Sequence, residues 1–143
     1  MNVNQISVFL ENRTGQLAEI THLLADNGID LRAISVAETA DYGILRLIAD
    51  DAERAASILL SNGNILTMTP VMVVGVSDEP SSLSRLLSII ADGEIGIEYM
   101  YSLFTNRNGK AYMVFRVSEE ERLAALLEQN GIMPVDKAEL GLK

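Results

Sequence analysis

Gln5-Ile6-Ser7-Val8-Phe9-Leu10 runs through Glu11-Asn12-Arg13-Thr14-Gly15-Gln16 into Leu17-Ala18-Glu19-Ile20-Thr21-His22-Leu23-Leu24. Ile6, Val8 and Leu10 alternate with Gln5, Ser7 and Phe9, the period of a strand with both faces partly covered. Leu17, Ile20, Thr21 and Leu24 recur at helical spacing and predict one apolar helix face, with Asn27-Gly28 as a left-handed exit. The polar, glycine-containing segment between them is therefore a strand-to-helix corner. Such a corner leaves backbone N–H groups unpaired at the helix N-terminus, and these suit a carboxylate. Asp78-Glu79-Pro80-Ser81-Ser82-Leu83 is a weaker copy of it half a chain later.

Outward from the first corner, Ile29 to Glu38 and Tyr42 to Ala49 are rich in β-branched and aliphatic residues. Thr39-Ala40-Asp41 joins them as a hairpin. Asp50-Asp51-Ala52-Glu53 reads as a helix cap of the capping-box kind, and the helix it opens buries Ala55, Ile58 and Leu59 before Gly63 stops it. Ile65 to Val76 is too long for one ordinary strand and is split near Pro70. The order then repeats. Strand Val71 to Val76, the second corner, helix Ser82 to Asp92, strand Ile97 to Phe104, a hairpin through Asn106 to Gly109, and strand Ala111 to Val117 follow one another. Helix Ser118 to Asn130 and strand Met133 to Val135 complete the second copy.

The repeat holds in register. Leu83, Leu86, Leu87 and Ile90 reproduce the first helix face 66 residues on, as Leu17 and Leu83 show. Two extra residues near Glu94 then lengthen the shift to 68, which aligns Gly28-Ile29-Asp30 with Gly96-Ile97-Glu98. Each βαββαβ copy is a split βαβ unit, a four-stranded antiparallel sheet carrying two helices on one face. The expectation is an α+β chain of two ferredoxin-like domains, residues 1–70 and 71–143, joined side by side into an eight-stranded sheet. About 70 residues is marginal for an independent fold, so the copies should pack together, and joining their edges would hide exposed strands.

Composition narrows the function. The net charge of −9 and a pI near 4.5 disfavour nucleic acid and anionic membranes, because phosphate binding needs clustered Lys and Arg. Strand aromatics of the basic RNA-binding type are missing as well. With no Cys there is no disulfide, thiolate nucleophile or cysteine-based metal site, and the expectation is a cytoplasmic protein without cofactor, metal or export signal. His22, the single histidine, has no Ser, Cys or second His at catalytic spacing and is expected at the surface.

The segment Leu10-Glu11-Asn12-Arg13-Thr14-Gly15-Gln16-Leu17, followed by Gly28-Ile29-Asp30, closely resembles the ACT domain, with Thr14 where that family usually has Pro. The resemblance covers nearly the whole chain as two ACT domains and leaves nothing for a catalytic domain. It implies a non-enzymatic regulatory protein that binds a free amino acid between paired domains and acts on a partner enzyme of amino-acid metabolism, as a homodimer. Carried over by position, the implied ligand contacts are Asn12, Arg13, Thr14, Gly15 and Leu17, with Asp30 at the second-strand start. In the second copy they are Asp78, Ser81 and Leu83, with Glu98 at the second-strand start. Ser81 replaces the glycine there, which makes the first corner the stronger expectation.

The residues agree with this. Gly15 lets a ligand oxygen approach the main chain, Asn12 offers a donor and an acceptor, and Asp30 or Glu98 could meet an ammonium across the domain pair. Tyr99, Met100, Tyr101 and Phe104 are candidates either for packing or for an apolar pocket. Two other readings stand beside the sensor. One is a small acylphosphatase-type enzyme on the same fold, whose Arg and Asn vocabulary Arg13 and Asn12 share without its spacing; the other is an unliganded assembly scaffold.

Overall fold

A computed structural model describes residues 3–11, 13–38, 41–104 and 109–143. Its elements run β1 (Val3–Glu11), α1 (Gln16–Asp26), β2 (Leu31–Glu38), β3 (Tyr42–Ala49), α2 (Ala52–Ser61), β4 (Leu66–Ser77), α3 (Pro80–Asp92), β5 (Ile97–Ser102), β6 (Lys110–Val117), α4 (Glu120–Gln129) and α5 (Lys137–Leu140). The chain divides into two units, Asn4–Thr69 with Gly141–Lys143, and Pro70–Leu140 with Met1–Val3. Among the described residues no helix is long and apolar enough to cross a membrane.

In the first unit the strand order is β2-β3-β1 and then the start of β4. β1 and β3 pair antiparallel from Ile6↔Leu47 to Glu11↔Tyr42. Alternation sends Ile6, Val8, Leu10, Leu45, Leu47 and Ala49 to one face, where they pack with Ile20 and Leu24 of α1 and Ala55, Ala56 and Leu59 of α2. Burying each of the larger aliphatic side chains contributes about 1.5–3 kcal/mol.

In the second unit the order is the rest of β4, then β6 and β5, with β4 paired to β6 from Met72↔Phe115 to Ser77↔Lys110. Met72, Val74, Phe115 and Val117 form its core with Leu86, Ile90, Leu123 and Leu127. The buried positions Leu86 and Ile90 of α3 stand 66 residues after the buried Ile20 and Leu24 of α1.

Several sequence expectations change. Six strands, not eight, form among the described residues. The last strand of the first copy and the first of the second are one continuous strand, β4, which runs straight through Pro70. Proline fits because its missing N–H falls before the ladder to β6 begins at Met72, while its carbonyl accepts from Arg116 Nη1 at 3.1 Å. Met133 to Val135 forms no strand; Pro134 has no N–H to give, and the segment keeps one backbone bond to the sheet, Val135 N–H to the Val73 carbonyl at 2.8 Å.

The capping box is also absent. Asp51, not Asp50, caps α2, accepting from Arg54 N–H at 3.2 Å, and Asp50 instead accepts from Asp30 N–H at 3.0 Å. Thr39, Ala40 and residues 105–108 of the two expected hairpins lie outside the described residues.

Candidate functional site

At the first corner the chain leaves β1 with Arg13 N–H bonded to the Glu11 carbonyl at 2.8 Å. Gly15 takes the N-cap position of α1 at φ 88°, in the left-handed region, and a Cβ there would meet nothing within 4 Å. Glycine is therefore needed for its dihedral, while the space in front of it stays open. No side chain among the described residues caps α1; of its first-turn N–H groups Gln16 donates to the Arg13 carbonyl at 3.4 Å, and Leu17 and Ala18 have no capping side chain. Leu10, Arg13, Thr14, Gly15, Leu17 and Tyr42 are among the residues that line a cavity of about 280 Å³ at this corner.

Arg13, Thr14, Gly15 and Leu17 are thus brought together, whereas Asn12 lies outside the described residues. The Arg13 guanidinium is engaged by Glu19 through two bonds of 2.8 and 3.0 Å, with Glu11 at 3.9 Å. Hydrogen bonding to Glu19 raises the Arg13 pKa, and hydrogen bonding to Arg13 holds Glu19 below its ordinary value.

Sequence reasoning missed Gln16. Its side chain is buried, and its Oε1 accepts Glu11 N–H at 2.8 Å, tying the end of β1 to the start of α1. The buried helix face consequently runs Gln16, Ile20, Leu24 and does not start at Leu17, which is 37% exposed. The signal was present in the four-residue spacing from Gln16 to Ile20 and Leu24, but the polarity of Gln16 argued against burial.

The second corner is built differently. α3 starts at Pro80, two residues before Ser82, the position that aligns with Gln16 at the shift of 66. Glu79 occupies the N-cap in an extended conformation, φ −83°, so no glycine is required and Ser81 fits as an ordinary first-turn residue. Ser77 and Ser82 hydroxyls bond to each other across the same two aligned positions that Glu11 and Gln16 occupy in the first corner. A cavity of about 320 Å³ is lined here by Gly75, Ser77, Glu79, Ser81, Ser82 and Arg85, among others. Leu83 lies outside it on the outer side of α3, and Asp78 is exposed at the bend before the helix.

Within their own units Asp30 and Glu98 are not brought to the corners. Asp30 precedes β2 at the end that pairs with Ala49, while Val36, which lines the first cavity, lies six residues along, roughly 20 Å at strand rise. Asp30 is bound by Arg32 Nε at 2.8 Å. Glu98 lies at the register irregularity between Ile97 and Tyr99 and pairs with Arg116 at 3.3 Å. Tyr99 and Tyr101 stack with centroids 6.4 Å apart, Met100 packs against the core, and Phe104 is exposed; neither corner cavity is lined by them. His22 is exposed on α1.

The family model for an ACT domain pair matches residues 1–141. The chain belongs to the ACT domain family, as a tandem pair. The crystal structure of protein BT0572 from Bacteroides thetaiotaomicron is similar to this ACT pair at 33% identity and a TM-score of 0.89, over 99% of this chain and 96% of that one. The ligand-free regulatory subunit of aspartate kinase from Thermus thermophilus shares the fold at 18% identity and a TM-score of 0.63, over 90% and 93% of the two chains. The regulatory subunit of aspartate kinase from Thermus flavus does so at 18% and 0.57, over 90% and 92%. Comparison with curated proteins gives no match.

Proposed function

We infer that this ACT pair is a regulatory module which binds a free amino acid at its strand-to-helix corners and transmits that binding to a partner enzyme of amino-acid metabolism. The observation that carries the reading is the cavity at each corner of a tandem ACT chain, beside a helix start that no described side chain caps. Arg13, Thr14, Gly15 and Leu17 are the contacts at the first corner, together with Asn12. Ser81 is the contact at the second, flanked by Asp78 and Leu83. Asp30 and Glu98 act, on this reading, only toward a neighbouring domain's ligand. The aspartate kinase regulatory subunits of the same fold support an enzyme of amino-acid metabolism as the partner class, by fold-level analogy.

Binding works by population shift. A ligand that holds one pairing of domains more tightly than another biases that equilibrium by its differential affinity and no more. The two domains, 1–70 and 71–143, and a homodimeric assembly supply the pairings on this reading. Calorimetry of the full chain with each common L-amino acid tests it, with sedimentation in the presence and absence of the tightest binder. Absence of heat with every amino acid, together with an unaltered melting temperature, sinks the reading.

A further inference from the structure

The two corners carry opposite charges at the same two aligned positions. At the shift of 66, Arg13 aligns with Glu79 and Glu19 with Arg85. In the first corner the pair is closed by two hydrogen bonds and its charges satisfy each other. In the second, Glu79 and Arg85 both line the cavity, and among the described residues they form no ion pair with each other or with a third group.

The strand beside them adds a donor and an acceptor. Val73 gives its carbonyl to Val135 N–H and so directs its main chain away from β6; by the two-residue period Gly75 and Ser77 do the same. Among the described residues the segment after α4 makes no further backbone bond along this edge, and Gly75 and Ser77 instead line the cavity. The interrupted pairing at Pro134 therefore leaves a short polar edge facing a carboxylate, a guanidinium and the hydroxyls of Ser81 and Ser82.

Resting on the regulatory reading above, we propose that the second-unit cavity is the stronger of the two amino-acid sites and holds the free zwitterion by both charges. Arg85 takes the α-carboxylate and Glu79 the α-ammonium, with the Gly75 and Ser77 main chain completing the contacts. Volume agrees: about 320 Å³ accommodates a small ligand of this kind within the usual size range of such pockets. The first cavity, whose guanidinium is held by Glu19, lacks a free charge pair among the described residues.

The test uses the full chain. Amide spectra are recorded with the twenty common L-amino acids, first mixed and then singly, and the tightest binder is carried into calorimetry. Gly75, Ser77 and Ser81 amides shift on binding; Arg85→Gln and Glu79→Gln each weaken it about tenfold, the scale of one charged hydrogen bond. Joint exchange of Glu79→Arg and Arg85→Glu, which reverses the polarity of the pair at unchanged net charge, abolishes binding, and Arg54→Gln on α2, away from both cavities, alters it less than twofold. The N-acetyl derivative of the same amino acid does not bind. Shifts confined to Thr14 through Leu17, full affinity in the exchanged variant, or equal binding of the acetylated derivative overturn this inference while leaving the regulatory reading standing. Absence of binding by all twenty overturns both.

Discussion

Replacing Gln16 by Met keeps the volume of a buried side chain but removes the oxygen that accepts Glu11 N–H at 2.8 Å. The lost bond is worth about 0.5–1.5 kcal/mol net, and the donor it abandons regains only part of its hydration, so the total cost is about 1.5 kcal/mol. At roughly 2.1 cal/mol/K per residue, a chain of 143 residues unfolds with an entropy of about 0.3 kcal/mol/K, and the melting temperature should fall by about 5 °C. Thermal unfolding followed by circular dichroism measures the fall, and hydrogen exchange at the Glu11 amide reports the bond directly. Ser82→Ala, which removes only a hydroxyl contact at the aligned position, should cost less than about 0.5 kcal/mol. A Gln16→Met protein that melts within 1 °C of wild type and keeps its Glu11 protection would refute the assignment of Gln16 as the tie between β1 and α1.

Glu94 adopts φ 56°, in the left-handed region that Gly28 occupies after α1, so Glu94→Gly should stabilise the protein by about 0.5–1 kcal/mol in urea unfolding; a loss of stability contradicts it. Asp51→Ala should cost about 1 kcal/mol through loss of the α2 cap, with Glu53→Ala within about 0.5 kcal/mol of wild type, and the reverse ranking would reinstate the capping box. Glu19 titrates below its ordinary value because it accepts from Arg13, so the pair's contribution is present above the unfolded-state carboxylate value and is lost as pH falls through the lower folded one. Carboxyl-carbon NMR should show the Glu19 midpoint moving up in Arg13→Gln, and an unmoved midpoint would mean that the pair does not persist in solution.

The chain's periodicities were enough to establish a βαββα order in each half and the place of both corners, though not the final strand of the second copy, which does not form. Alternation in Ile6-Val8-Leu10 and four-residue spacing in Ile20-Leu24 are local properties, and the aligned Leu86 and Ile90 repeat the latter in the second unit. What the sequence obscured depended on pairing at a distance. Pro70 reads as a break until the ladder partner of β4 is known, because a missing N–H matters only where a partner would have accepted it. Gln16 reads as a solvated helix start until Glu11 N–H is found pointing at it. The second corner lost rank for its missing glycine, yet α3 begins two residues earlier there and needs no left-handed residue. The composition and register of the chain thus determined the order of strands and helices through each half and the position of both corners, but not the continuity of β4 or the loss of a strand at Met133 to Val135. Only the tertiary structure decided which polar groups are spent on one another and which are left facing a cavity, since that depends on distances between residues that sequence spacing does not encode.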